Sequence, residues 1–135
     1  MRSIETMDSD EAARLVDIVV ELARSDGGNP VVVSVYGAHG LQIAYRCMDG
    51  ALPSSTDVAP AKANTVYRDA APTSGYPAGW QPGNWAVSNM TAFGGGIPVP
   101  HPQTGAQVGS LGVSGRSEVD DEVLALRAIK ALWDQ

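Results

Sequence analysis

Basic residues are scarce in this sequence. Nine Lys and Arg stand against fifteen Asp and Glu, which gives a formal net charge of −6 and a sequence pI near 4.6. Proteins that bind nucleic acid or anionic membranes need a concentrated basic face, because binding depends on displacing counterions from phosphates. The charge balance therefore predicts that neither nucleic acid nor membrane is a partner.

The sequence also has only one cysteine and no long apolar run. Cys47 is the only cysteine, so the chain cannot close an internal disulfide, which is typical of proteins from reducing compartments. No apolar run approaches the roughly 20 residues of a transmembrane helix. Residues 1–10 are polar and acidic, unlike a signal peptide. We expect a cytoplasmic protein.

The remaining composition is that of a globular domain. The 135 residues are 44% hydrophobic and 18% charged, which suffices for a core without disulfides or metals. No internal repeat, low-complexity tract or linker interrupts the chain. We expect one domain over residues 1–135.

The first half of the chain predicts a helix, a hairpin and a second helix. Asp8 and Glu11 form a capping pair before an apolar stripe with helical spacing. The β-branched run 31–36, a glycine turn at 37–40 and the return over 41–46 predict two antiparallel strands. Good N-cap residues at 55–57 open a helix that runs to about Asp69.

The second half predicts a loop, three strands and a final helix. Turn-forming residues at 71–84 predict the loop, and strand-like segments follow at about 85–93, 97–99 and 106–113. Ser117 can cap a helix whose first turn is acidic, which suits the helix dipole. Its predicted buried stripe consists of Val119, Val123, Leu126, Ile129 and Trp133.

Hairpins rather than crossovers join most of these strands. The sequence therefore predicts an α/β (α+β) domain, with a mainly antiparallel sheet of five strands flanked by helices.

Lys62 is the first candidate for chemistry, because it is a lone cation on a helix face of small residues. Near a cleft, desolvation would lower its pKa and let it bind a carboxylate or act as a base. The alternative is an ion pair with Asp49 or with an acid of the last helix. In an enzyme for a small carboxylated metabolite, Lys62 would anchor the acid, and Asp49, Tyr67 or His101 would move a proton.

A glycine run and an aromatic loop are further candidates for a binding site. Gly94, Gly95 and Gly96 can offer backbone N–H groups to an anion, or allow a bulge or close backbone packing. Trp80 and Trp85, together with Tyr76, supply flat apolar area that suits the wall of a pocket for a planar ligand. The alternative is that this loop seals an oligomer interface.

The only two histidines, His39 and His101, both fall in predicted turns. No Cys, Asp or Glu accompanies either one at metal-site spacing, so we predict no intrachain metal site. As a neutral imidazole, either histidine can still ligate a haem iron.

Four segments together resemble the GlcG/HbpS family, which includes the C-terminal domain of PduO-type proteins. They are PVVVSV from Pro30, RCMDGALPSSTDVAPAKANT from Arg46, GGIPV from Gly95 and VGSLGVSGRSEVDDEV from Val108. They occur in the family's order and span most of the chain.

This resemblance implies a profilin-like, three-layer fold, a lysine at position 62 and assembly into homo-oligomers. Several members of the family are associated with haem or corrinoids. The resulting hypothesis is a small-molecule-binding protein that holds haem or a related tetrapyrrole between subunits. His39, His101, Trp80, Trp85 and Gly94–Gly96 are its candidate contacts. The two alternatives are the enzyme that uses Lys62 and a structural accessory subunit.

Overall fold

The structure is a computed structural model that describes residues 1–77 and 89–134. Its helices are α1 (Ser9–Ser25), α2 (Ser55–Asp69) and α3 (Glu118–Trp133), with a short 3-10 turn at Thr73–Gly75. Its strands are β1 (Val32–Gly37), β2 (Gln42–Cys47), β3 (Gly96–Pro100) and β4 (Gln107–Ser114).

The sheet is antiparallel throughout, in the order β2-β1-β4-β3. Two hairpins, β1–β2 and β3–β4, join side by side through β1 and β4, where Val33 lies opposite Val113. The predicted antiparallel sheet flanked by helices is confirmed.

The predicted number of five strands is wrong for the described residues, which form four. Residues 89–93 of the expected strand 85–93 are not in a strand, and residues 85–88 lie outside the described ranges. Backbone groups of residues 89 and 91 form hydrogen bonds with side chains of α2 and not with a neighbouring strand. Asn64 donates to the Asn89 carbonyl at 2.8 Å, and the Thr91 N–H donates to Thr65 Oγ1 at 2.9 Å.

Helices cover both faces of the sheet. Helices α1 and α3 pack together on one face, and α2 packs against β1, β3 and β4 on the other. The main core lies under α1 and α3, where fully buried strand residues include Val33, Val35, Leu111 and Val113. The capping box of α1 is formed as predicted, with the Glu11 N–H donating to Asp8 Oδ1 at 2.8 Å.

The predicted buried stripe of α3 is largely wrong. Val119 is 70% exposed, Val123 49% and Leu126 50%, and only Ile129 of the predicted set is fully buried. The core-facing side of the helix consists instead of Asp121, Leu124, Ala125, Ala128, Ile129 and Leu132. Apolar residues occupy two sides of α3, and periodicity alone does not say which side meets the sheet.

Helix α2 lies unusually close to the sheet because the strand residues beneath it are small. A Cβ atom on Gly112 of β4 would lie 2.1 Å from the Ala59 carbonyl oxygen and 2.8 Å from the Ala63 nitrogen. Ser110, on the same face, donates to the Ala63 carbonyl at 2.8 Å. The backbone of α2 therefore rests directly on β4.

Among residues 1–77 and 89–134, no helix has both the length and the apolar character needed to cross a bilayer.

Substitution of Gly112 tests this close approach. We expect Gly112→Ala to lower the free energy of unfolding by about 1–3 kcal/mol or more. The new methyl group would clash with the backbone of α2, which, unlike a side chain, cannot adopt another rotamer. Urea unfolding followed by circular dichroism measures the change. Gly75→Ala is the matched control, since a Cβ there meets nothing within 4 Å. Equal stability of the two variants would contradict the packing described.

Candidate functional site

Lys62 is buried in the core between α2, β4 and α3. Its side chain is 2% exposed, and its Nζ donates to the Val113 carbonyl at 2.7 Å and to Asp121 Oδ2 at 3.1 Å. Of the two alternatives left by the sequence, the structure therefore shows the ion pair with an acid of the last helix. The contacts of the ammonium group all lie inside the protein, which leaves it unsuited to bind a substrate carboxylate.

Burial opposes the charge on both members of this pair. Removal from water lowers the pKa of Lys62 and raises the pKa of Asp121, and each shift is opposed by the charge of the other residue. Asp121 is also held by the Arg116 N–H, which donates to its Oδ1 at 2.9 Å. Direct hydrogen bonds thus replace much of the hydration that the two charges lose.

The glycine run closes over the ion pair. Gly95 has a φ of +121°, and a Cβ on it would lie 2.8 Å from Lys62 Nζ and 2.6 Å from the Val113 carbonyl oxygen. The N–H groups of Gly94 and Gly96 donate to Glu118 Oε1 at 2.8 Å and to Thr73 Oγ1 at 2.9 Å. These glycines therefore serve close packing, the second of the two roles that the sequence allowed.

Lys62 and the glycine run, both candidates for a binding site, meet in close packing that leaves no space for a ligand between Nζ and Gly95. Trp80 and Trp85 lie outside the described ranges, so their predicted part in a pocket stays a prediction.

Asp49 and Tyr67 are not assembled with Lys62. Asp49 is exposed in the turn after β2, followed by Gly50 with a φ of +85°, which fits a role in turn formation. The Tyr67 ring lies at the other end of α2, where a Cβ on Gly40 would approach its Cζ to 2.6 Å. Lys62 Nζ instead contacts Val113, Asp121 and Gly95 in the core, so the structure does not bring the proposed proton-transfer groups together.

His101 lines a cavity of about 440 Å³ beside the start of α1 and the end of α3. Its Nε2 pairs with Glu5 Oε1 at 2.7 Å, and its Nδ1 accepts the Gln103 and Thr104 N–H groups at 3.1 and 3.2 Å. Both ring nitrogens are therefore occupied. No local pattern singles out Glu5 as the partner of His101, because an acid near the N-terminus has no spacing relationship to a distant hairpin.

His39 is exposed at the tip of the β1–β2 hairpin and has much weaker contacts. Its Nδ1 accepts the Leu41 N–H at 3.4 Å, which is long for a hydrogen bond. Leu41 is itself 63% exposed. The ring nitrogens of His39 are therefore less engaged than those of His101.

Within the described parts of the chain, no group of three or more His, Cys, Asp and Glu side chains is placed to hold a metal ion.

Removal of one member of the ion pair tests its role. We expect Lys62→Met to lower the free energy of unfolding by about 3–5 kcal/mol, because it leaves the Asp121 carboxylate buried without its cation. Lys62→Met with Asp121→Asn should recover most of this loss, since the amide oxygen still accepts from the Arg116 N–H. Urea unfolding of the wild type, both single variants and the double variant gives the coupling energy.

The pH dependence of Lys62→Met follows from the same burial. Without the lysine, the largest effect that opposes desolvation is lost, and only the backbone N–H groups of Arg116 and Gly115 still lower the Asp121 pKa, so this pKa rises further above the unfolded value of about 3.9. The folded state then binds a proton more tightly than the unfolded state, so the deficit should shrink as the pH falls towards that value. A Lys62→Met protein as stable as wild type at neutral pH would contradict the assignment.

Comparison with known proteins shows the same fold along the whole chain. A family model described as haem degrading protein HbpS-like matches residues 7–130. The crystal structure of ORFY from Klebsiella pneumoniae is 25% identical, covers 100% of this chain and 96% of its own, and superimposes with a TM-score of 0.89. No curated protein matches the chain.

Two further solved structures are more similar in sequence. The PduOC:haem complex is 31% identical over 93% of this chain and 94% of its own, with a TM-score of 0.82. A double mutant of HbpS from Streptomyces reticuli is 30% identical over 100% of this chain and 92% of its own, with a TM-score of 0.85. The resemblance found in the four sequence segments is thereby confirmed, and the chain belongs to the HbpS-like family.

Proposed function

We propose that this protein binds haem or a related tetrapyrrole. The observation that carries the proposal is its likeness to the PduOC:haem complex over nearly the whole length of both chains. The description of the family as haem degrading supports the same ligand class. When bound, haem supplies an iron centre for redox chemistry and for binding small ligands.

We propose that His39 would be the residue that binds the haem iron. A histidine ligates iron through an unprotonated ring nitrogen, and His39 can offer Nε2 by giving up only the long contact between Nδ1 and the Leu41 N–H. The hairpin turn that carries it is held by the Gly40 N–H, which donates to the Gly37 carbonyl at 3.0 Å. The imidazole is thus presented from a fixed turn.

The surroundings of this turn suit a flat, largely apolar ligand with carboxylates at its edge. Leu41 offers exposed apolar surface, and the ring of Tyr67 lies against Gly40 in the same turn. Arg68 follows on α2 and is exposed, so its guanidinium is available to a propionate.

The cavity at His101 is a poor haem site by comparison. Both nitrogens of His101 are engaged, and Glu5 and Glu11 both line the cavity. These two carboxylates would repel the propionates of haem.

The enzyme hypothesis has no comparable support, because the Lys62 ammonium on which it depends is sealed in the core. A substrate could reach this group only if the ion pair with Asp121 opened.

Titration with hemin tests the proposal. We expect the wild-type protein to give a saturable shift of the Soret band at stoichiometric hemin. His39→Ala should weaken binding about tenfold or more and change the position of the band, because the iron loses a protein ligand. Absorbance spectroscopy follows both effects.

His101→Ala is the matched control, since it removes the other histidine and leaves the β1–β2 turn that carries His39 intact. It should keep wild-type affinity and band position. Absence of a saturable shift in the wild type would overturn haem binding. Equal binding by wild type and His39→Ala would keep haem binding but remove His39 as the ligand.

A further inference from the structure

The cavity beside His101 is not used by the proposed haem site. Its volume of about 440 Å³ lies within the range of sites that bind small molecules. Its walls come from the segment before α1, from α1 itself, from the β3–β4 turn and from the end of α3. None of the described residues that line it is a lysine or an arginine.

Contacts within the protein hold the walls of this cavity in place. The Met7 N–H donates to the Val108 carbonyl at 2.8 Å, which ties the segment before α1 to β4. Glu11 Oε1 accepts the Asp8 N–H at 3.0 Å in the capping box of α1. A ligand would therefore meet a site that is already formed, which lowers the entropic cost of binding.

The cavity carries two carboxylates whose charge its lining does not cancel. His101 Nδ1 accepts the Gln103 and Thr104 N–H groups, so this nitrogen is unprotonated and the ring proton lies on Nε2. The imidazole is thus neutral and donates from Nε2 to Glu5 Oε1 at 2.7 Å. Glu11 adds the second carboxylate. The cavity therefore favours a cation.

The indole N–H of Trp133 is the second feature that indicates a ligand. Trp133 lines the cavity, and its Nε1 is buried without a hydrogen-bond partner in the part of the chain that the structure describes. A buried donor of this kind is destabilising unless an acceptor satisfies it. A hydroxyl oxygen of a bound molecule would supply that acceptor.

We propose that this cavity binds a small hydroxylated amine. Its ammonium group pairs with the carboxylates of Glu5 and Glu11, and one of its hydroxyl oxygens accepts from Trp133 Nε1. The side chain of Glu5 is 70% exposed, so the ammonium group can reach it from solvent. An amino sugar combines both groups in one compact molecule. The proposal does not depend on haem binding.

Isothermal titration calorimetry with D-glucosamine tests the proposal, in phosphate buffer at low salt and at a pH where the amine is protonated. We expect saturable binding at one site per chain, with a dissociation constant of about 1 mM or less. N-acetyl-D-glucosamine keeps the ring and its hydroxyl groups but carries no positive charge. It should bind about tenfold or more weakly.

Variants that remove charge but keep the local hydrogen bonds identify the two carboxylates. Glu5→Gln retains an oxygen for the His101 Nε2–H, and Glu11→Gln retains the capping box, in which glutamine can replace glutamate. Each should weaken glucosamine binding, and the double variant should weaken it about tenfold or more. Glu21→Gln, at an exposed position of α1 outside the cavity, makes the same change of charge and should bind like wild type. Thermal unfolding checks that all variants are folded.

Nuclear magnetic resonance tests the hydrogen bond to the indole. The Nε1–H cross-peak of Trp133 is identified by its absence from the spectrum of Trp133→Phe. In the wild type this peak should shift as glucosamine is added, and the shift should saturate at the concentration at which calorimetry shows the site to be filled.

Four results would overturn the proposal. They are a wild type that gives no saturable binding of glucosamine, equal affinity for N-acetyl-D-glucosamine, wild-type affinity in the folded double variant of Glu5 and Glu11, and a Trp133 indole peak that does not move.

Discussion

The buried ion pair between Lys62 and Asp121 is the interaction on which the rest of the structure depends. It joins α2, on one face of the sheet, to α3, on the other, and a second hydrogen bond of Lys62 Nζ, to the Val113 carbonyl, fixes the pair to the inner strand β4. Removing either charge alone leaves the other buried and unpaired, which costs far more than an exposed ion pair contributes. The two helical layers are therefore held in one relative position.

The small residues of the fold make this pair possible. A lysine can reach the backbone of β4 and the first turn of α3 only because Gly112 lets α2 rest on the strand and Gly95 leaves space beside Nζ. Either glycine, if replaced, would push backbone or charge away from this position. Gly95 was predicted as part of a possible anion site. In the structure it instead leaves the space that the Lys62 ammonium group occupies.

Local sequence patterns predicted most of the fold. The features that they did not predict depend on contacts between residues that are far apart in the sequence. The capping box at Asp8, the β1–β2 hairpin and three helices follow from short-range signals that each carry their own chemistry. The sequence narrowed the partner of Lys62 only to Asp49 or an acid of the last helix, because Asp121 lies 59 residues away and nothing local distinguishes it from the neighbouring acids. Periodicity likewise gave α3 two apolar sides, and only the packing shows that Val123 faces outward.

The same arrangement determines where function can lie. Close packing of the Lys62 ammonium group against the Gly95 bend leaves no room for a ligand between them, so the haem site that we propose lies at the surface of the domain. His39 lies in the exposed β1–β2 turn, next to the end of α2, and takes no part in the ion pair that Lys62 and Asp121 form in the core.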